Sequence, residues 1–137
     1  MAILAINQPF SSLGVSGRTK LVVLGSPHEW MDRIRSLQLE HVSPAGLLRR
    51  EISRPPSGLG RSESDTIALM RKWFFARKPD AGFLLTDFPA TLLQSKIFDE
   101  WLESRHEALD AVIAGPGSPE SVVTHYAHHG LLREVIP

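Results

Sequence analysis

The sequence contains no cysteine, which excludes a disulfide framework, a zinc site built from thiolates and a cysteine nucleophile. It also has no excess of either charge, because 15 Lys and Arg residues balance 15 Asp and Glu residues. A neutral chain has no overall field that attracts nucleic acid or an anionic membrane, so we expect neither as a partner. No apolar run is long enough to cross a bilayer, and the apolar start at residues 1–6 is too short for a signal sequence. We therefore expect a soluble, cytoplasmic protein.

The length of 137 residues is enough for one compact domain with its own core, because 42% of the residues are hydrophobic. Residues 11–18 are rich in Ser and Gly and precede the first strongly apolar run. We predict a flexible lead-in over residues 1–20 and a single core domain over residues 21–137.

Short apolar runs alternate along the chain with segments of helical periodicity. Runs of this kind, rich in β-branched residues, are typical of strands that are buried on both faces of a parallel sheet. Strands are predicted at 21–24, 82–85, 110–114 and, at the sheet edge, 131–136; helices are predicted from residue 30 and at 45–52, 63–76, 92–105 and 120–129. This order predicts a three-layer α/β/α fold with a mostly parallel, open sheet.

Three segments carry a resemblance to a known family. They are LVVLGSP at 21–27, HVSPAGLLR at 41–49 and AGFLLTDFPAT at 81–91, which continues into LLQ at 92–94. In this order they resemble the adenylate kinase family of nucleoside monophosphate kinases, across nearly everything after Lys20. The resemblance implies a P-loop NTPase fold, with the first segment at the phosphate loop and the other two around the site of the acceptor nucleotide.

The half that would hold the phosphate donor departs from the family pattern. A working phosphate loop has the form G-x-x-x-x-G-K-[ST], in which main-chain amides and the lysine bind the phosphates. Here Gly25, Ser26 and His28 remain, but no second glycine and no lysine follow, and Glu29 adds a negative charge. The arginine-bearing lid of the family is expected to be absent, because only about a dozen residues separate the third strand from Tyr126. Phosphoryl transfer depends on positive charge around the moving group, so we predict no catalytic residue.

The half that would hold the acceptor retains more of the pattern. By the resemblance, Arg49 pairs with the monophosphate, Gln94 reads the base, and Ser43 belongs to the same segment. Asp87 stands where the family has a glycine, but it follows a predicted strand, at the end where ligands of open α/β sheets bind. Each role has a simpler alternative: Arg49 as a solvated helix residue, Gln94 as an exposed helix residue, and Asp87 as a turn residue. The residues alone do not decide between these interpretations.

Other positions on the acceptor side are replaced. The family's threonine and aspartate near the start of the helix appear as Pro44 and Gly46, and a second phosphate-binding arginine appears as Ala90. The monophosphate-binding segment, at about 43–80, is also shorter than in the family. We therefore expect this half of the site to be reduced.

Three histidines, His125, His128 and His129, lie at helical spacing near the end of the last predicted helix. His125 and His129 are one turn apart, so a surface metal site is one interpretation. Because the sequence places no carboxylate reliably beside them, we interpret the three as residues of the solvated helix face and predict no metal site.

These observations predict an adenylate kinase-like protein that is catalytically inactive and retains binding of a nucleoside monophosphate, AMP or another nucleotide, or a regulatory role. An active nucleoside monophosphate kinase with an atypical phosphate loop is the alternative. A hydrolase or metal protein on the same scaffold ranks third. The expected partners are a small-molecule nucleotide and either a second copy of the chain or another protein.

Overall fold

The computed structural model describes residues 17–25, 39–51 and 62–134. Within these ranges the chain forms β1 (Lys20–Leu24), β2 (His41–Val42), α1 (Pro44–Glu51), α2 (Glu63–Ala76), β3 (Phe83–Thr86), α3 (Leu92–Ser104), β4 (Ala111–Ala114), α4 (Glu120–His128) and β5 (Leu132–Glu134). None of the helices in these ranges is long and apolar enough to cross a membrane. The helix predicted from residue 30 lies outside the described residues.

The five strands form one sheet in the order β2-β3-β1-β4-β5, and all four pairings are parallel. Every residue of β1, β3 and β4 is buried, which explains why these strands, apart from Lys20 and Thr86 at their ends, are apolar in the sequence. The predicted α/β class, with a mostly parallel open sheet of the P-loop NTPase type, is confirmed. The edge strand predicted at 131–136 is β5, which pairs with β4.

The sheet begins earlier than the sequence predicts. Lys20 is the first residue of β1. Ahead of it, the carbonyl of Gly17 accepts a hydrogen bond from Gly82 N at 2.7 Å, and the carbonyl of Thr19 accepts one from Phe83 N at 3.0 Å. The segment 17–20, predicted as part of a flexible lead-in, is therefore hydrogen-bonded to the start of β3. Residues 1–16 lie outside the described residues.

The strand β2 was not predicted, because two residues make no recognisable apolar run. His41 pairs with Leu84 and Val42 with Leu85, so β2 extends the sheet beyond β3. The helix α1 starts two residues after this strand. The pairing thereby places the beginning of α1 beside the end of β3.

A cluster of aromatic rings forms the core behind β3. The ring of Phe98 lies 5.8 Å from that of Phe74, 5.7 Å from that of Phe88 and 5.9 Å from that of Trp101, and these three contacts are edge-on. The Phe88 and Trp101 rings are stacked at 6.1 Å. Such ring pairs add to the stabilisation from apolar burial, so α2 and α3 are firmly packed against the segment that follows β3.

Candidate nucleotide site

The carboxyl ends of the strands lie along one edge of the sheet, because every pairing is parallel. The residues that follow the strands line this edge: Gly25 after β1, Ser43 after β2, Asp87 after β3 and Gly115 after β4. The chain runs to β2 and β3 on one side of the central β1 and then to β4 and β5 on the other. Ligands of open parallel sheets bind at the carboxyl edge, where the strand order changes direction in this way.

A cleft of about 360 Å³ opens beside β2 and is lined by His41, Ser43, Gly46 and Arg49. We call it the Arg49 cleft. Its volume lies within the range of small-molecule sites. The structure thus brings together Ser43 and Arg49, two residues that the sequence assigned to the acceptor site, and adds His41, which the sequence did not single out.

Ser43 starts α1. Its Oγ accepts a hydrogen bond from Gly46 N at 3.1 Å, and its carbonyl accepts one from Leu47 N at 2.9 Å. This is N-terminal helix capping, in which a side-chain oxygen satisfies a main-chain amide that has no partner within the helix. A Cβ atom at position 46 would lie 3.1 Å from the same Oγ, so glycine leaves room for the cap. Because Oγ accepts this bond, its hydrogen remains to donate to a ligand.

Arg49 supplies the positive charge of the cleft. A Cβ atom at Gly46 would lie 3.9 Å from Arg49 Nη2, so the guanidinium group turns back toward the start of α1. Main-chain amides at a helix start carry partial positive charge of their own. Among the described residues, no carboxylate lies within ion-pair distance of Arg49. The cleft therefore favours an anionic group.

His41 adds an imidazole to the same cleft. Its Nε2 lies 2.9 Å from Oγ1 of Thr86, the last residue of β3. The hydrogen bond joins the first residue of β2 to the last residue of β3 and holds the ring in place. Sequence reasoning missed this residue because it did not identify β2, and only the strand pairing places His41 next to β3.

Gln94 is buried, with 5% of its surface exposed, so the alternative of an exposed helix residue is wrong. Its Oε1 accepts a hydrogen bond from Ala90 N at 2.7 Å, and its own amide donates to Thr91 Oγ1 at 3.1 Å. The two bonds cap the start of α3 in the manner of a capping box. Gln94 does not line the Arg49 cleft. Its role in reading a base stays a prediction.

Asp87 is exposed at the end of β3 and has a backbone φ of +64°. This left-handed conformation is one that Asp adopts more readily than most residues, so a turn role accounts for its position. Asp87 is not among the residues that line the Arg49 cleft. Its proposed contact with a nucleotide also stays a prediction.

Gly25 directly follows β1, and neighbouring main-chain atoms pack closely against it. Its φ is +79°, and a Cβ atom there would lie 2.4 Å from the carbonyl oxygen of Pro116 and 2.9 Å from that of Gly115. The turn at residues 115–119, which joins β4 directly to α4, therefore packs against the start of the predicted phosphate loop. Ser26 and His28, the other predicted remnants of that loop, lie outside the described residues.

A further group of polar residues lies between α3 and α4. The Nε2 atom of His125 is 2.6 Å from Oδ2 of Asp99, and only 11% of the His125 side chain is exposed. His128 and His129 are exposed, as predicted for the solvated helix face, whereas the same prediction is wrong for His125. No sequence pattern pointed to Asp99, because the contact depends on the packing of two helices.

Comparison with known proteins agrees with the resemblance of the sequence. No family model matches the chain. Over 110 residues the chain is 34% identical to the adenylate kinase of Moorella thermoacetica, an alignment that covers 69% of this chain and 51% of that protein. The chain thus spans about half the length of the curated relative that it matches. It is similar to an adenylate kinase over most of its own sequence, which supports a relationship to that family.

Proposed function

We propose that this chain is an adenylate kinase-like protein that binds a nucleoside monophosphate, such as AMP, in the Arg49 cleft and does not transfer phosphate. The observation that carries the proposal is the position of Arg49. Its guanidinium group lines a polar cleft at the carboxyl edge of a parallel sheet, where ligands of such folds bind.

The chemistry of the cleft suits a phosphate monoester. A guanidinium group donates two parallel hydrogen bonds to phosphate oxygens, and such charge-assisted bonds are about twice as strong as neutral ones. The hydroxyl of Ser43 and the ring of His41 line the same cleft and provide further polar contacts. With Gln94 and Asp87 farther along the same edge, the base and ribose of the nucleotide would extend from the cleft toward α3.

The argument against phosphoryl transfer is electrostatic. The reaction needs positive charge and preorganised donors around the moving phosphoryl group, and loss of one such donor typically costs about 3 to 4 kcal/mol of transition-state stabilisation. After Gly25 the sequence continues Ser26-Pro27-His28-Glu29, without the lysine of a phosphate loop. The turn at residues 115–119 reads GPGSP and contains no arginine. In the family pattern, the phosphate-loop lysine and the lid arginines supply positive charge around the phosphate donor. Neither is present at these positions.

The second candidate is an active nucleoside monophosphate kinase with an atypical loop. The retention of Arg49 and Gln94 favours it, because these residues match the acceptor side of the family pattern. Positive charge for the donor would then come from a second copy of the chain. Leu92 and Leu93, which are 38% and 51% exposed at the start of α3, provide apolar surface that such a copy would cover.

Calorimetric titration of the full chain with AMP, ATP and a bisubstrate dinucleotide, together with a coupled phosphotransfer assay, tests the proposal. We expect AMP to bind more tightly than ATP and no turnover above background. The variant Arg49→Gln should weaken AMP binding by about tenfold or more, because a charge-assisted phosphate contact is lost. Arg71→Gln is the matched control, since it makes the same charge change at an exposed position on α2.

The outcomes separate the candidates. Measurable turnover would assign the chain to the active kinases, and sedimentation of the active form would then show whether two copies are required. Absence of heat with every nucleotide would overturn the binding proposal. Equal losses of AMP affinity in Arg49→Gln and Arg71→Gln would show that the overall charge of the protein, and not the cleft, determines binding.

A further inference from the structure

Three metal-ligating side chains come together where α3 packs against α4. They are Asp99 on α3, His125 near the end of α4, and His129 directly after that helix. One ligand atom from each lies within 4.8 Å of the other two. Helix packing assembles the set, because Asp99 and His125 are 26 positions apart in the chain.

His125 and Asp99 form the less exposed part of the group. The Nε2 and Oδ2 atoms lie 2.6 Å apart, and the two side chains are 11% and 32% exposed. Their conformations are therefore held by packing and by a hydrogen bond. Less side-chain entropy is lost when an ion binds groups that are already ordered.

His129 has a defined tautomer. Its Nδ1 lies 2.8 Å from the carbonyl oxygen of His125. A carbonyl oxygen only accepts hydrogen bonds, so Nδ1 carries the hydrogen, and in the neutral ring Nε2 carries the free electron pair. Histidines that bind metals typically donate their other ring nitrogen to a carbonyl or carboxylate in this way, which fixes the ring and makes the ligating nitrogen more basic.

The hydrogen bond between Asp99 and His125 involves only two of the three side chains. The simpler interpretation of that contact is a hydrogen bond that joins α3 to α4 without a metal. The ring of His129, however, lies with its centroid 4.5 Å from that of His125. A cation bound by two neutral imidazoles and a carboxylate uses all three side chains, and its binding releases to solvent the hydrogen that His125 Nε2 shares with Asp99 Oδ2.

We propose that Asp99, His125 and His129 bind a divalent transition metal ion of the Zn²⁺ class. Two imidazole nitrogens and one carboxylate oxygen match this class, whereas Mg²⁺ and Ca²⁺ prefer sites made of oxygen ligands. Three protein ligands leave a fourth position for water or another ligand. The ion links α3 to α4 and is independent of the Arg49 cleft, whose residues belong to β2 and α1 and the residue between them.

The test uses the full chain without a histidine tag. Zn²⁺ is titrated calorimetrically, and Co²⁺ is titrated with visible absorption, which reports the coordination geometry. We expect one equivalent of metal to bind and to raise the melting temperature. The variants Asp99→Asn, His125→Gln and His129→Gln should each weaken binding by about tenfold or more, as loss of a partner in a metal site does. His128→Gln is the matched control, because His128 is exposed and outside the set.

Absence of metal binding by the unaltered chain would overturn the proposal. So would normal binding by Asp99→Asn and His129→Gln, or an equal loss in His128→Gln, which would indicate scattered surface histidines. The melting temperature of each variant without metal shows whether it is folded. If His125→Gln proves unstable, the other two ligand variants decide the question, because their side chains are more exposed.

Discussion

The Nη2 atom of Arg77 lies 2.5 Å from Oε1 of Glu107, and only 5% and 3% of the two side chains are exposed. Lys20 Nζ is 3.8 Å from the same Oε1, and its side chain is equally buried. The guanidinium group of Arg77 also stacks over the ring of Phe74 at 4.3 Å. These charged residues lie at the amino ends of the strands, opposite the Arg49 cleft, so we assign them to stability and not to binding.

Glu107→Gln should destabilise the fold by about 3 kcal/mol, because removal of one partner leaves the positive charge of Arg77 buried without compensation. Denaturation in urea, followed by tryptophan fluorescence, measures the free energy of unfolding. Glu103→Gln, at an exposed position of α3, should change it by less than about 0.5 kcal/mol. A similar small change in Glu107→Gln would contradict a stabilising role for the pair.

Asp80 should make the stability depend on pH in the acidic range. The hydrogen bond from Lys20, and then its positive charge, hold the pKa of the Asp80 carboxyl below its usual value of 3.8. A lowered pKa in the folded state contributes stability that is fully present above pH 3.8 and is lost as the pH falls through the lowered pKa. Asp80→Asn should therefore be less stable than the unaltered chain at neutral pH, and the difference should shrink on acidification.

Unfolding curves of both chains at a series of pH values check this prediction. Asparagine is a suitable replacement, because Asp80 has a φ of +64° and Asn tolerates the left-handed conformation. Glu100→Gln serves as the control at an exposed position. A difference between Asp80→Asn and the unaltered chain that stays constant with pH would argue against the Lys20 contact as the cause.

Two glycines with nearly the same φ allow the cost of a left-handed backbone to be measured apart from the cost of crowding around an added Cβ atom. Gly25 and Gly117 have φ values of +79° and +80°, but only Gly25 has main-chain atoms near the position of a Cβ atom. Gly117→Ala should cost about 1 kcal/mol for the left-handed conformation alone. Gly25→Ala should cost at least about 2 kcal/mol more, because the Pro116 carbonyl has to move. Equal losses in unfolding free energy would contradict the close packing of this turn.

Gln94→Ala should lower the unfolding free energy by about 1 to 2 kcal/mol, because the cap of α3 and a buried hydrogen bond are lost. Lys96→Ala, on the exposed face of the same helix, is the control. Titration of the folded Gln94→Ala variant with AMP and GMP then tests the second role. Unchanged stability would contradict the capping role, and an altered preference between the two nucleotides would support base reading.

Much of the fold could be predicted because its elements leave local signals. The runs at 21–24, 83–85 and 111–114, which form most of β1, β3 and β4, are apolar throughout, since both faces of the central strands are buried. The strand β2 left no such signal, since it contains two residues and His41 is exposed. Its position depends on hydrogen bonds to β3, which no periodicity within residues 41–42 encodes.

The residues of the candidate sites also differ in how far the sequence predicts their surroundings. Ser43 and Arg49 could be assigned together because they lie on one short segment, and the start of α1 holds them near each other whatever the rest of the chain does. The burial of Gln94 accompanies the hydrogen bond that its side chain accepts from Ala90 N in the turn before α3, so its surroundings could not be inferred from helical spacing alone.

The sequence by itself determined the order of the helices and of the described strands other than β2, and the absence of thiol chemistry, because these follow from residue types and from periodicity over a few turns. Only the tertiary structure decided which distant groups meet. Asp99 approaches His125, and Glu107 approaches Arg77, across 26 and 30 positions of the chain. Such contacts depend on the strand order and on helix packing, and hydrophobic patterning records which face of an element is buried without recording its neighbour.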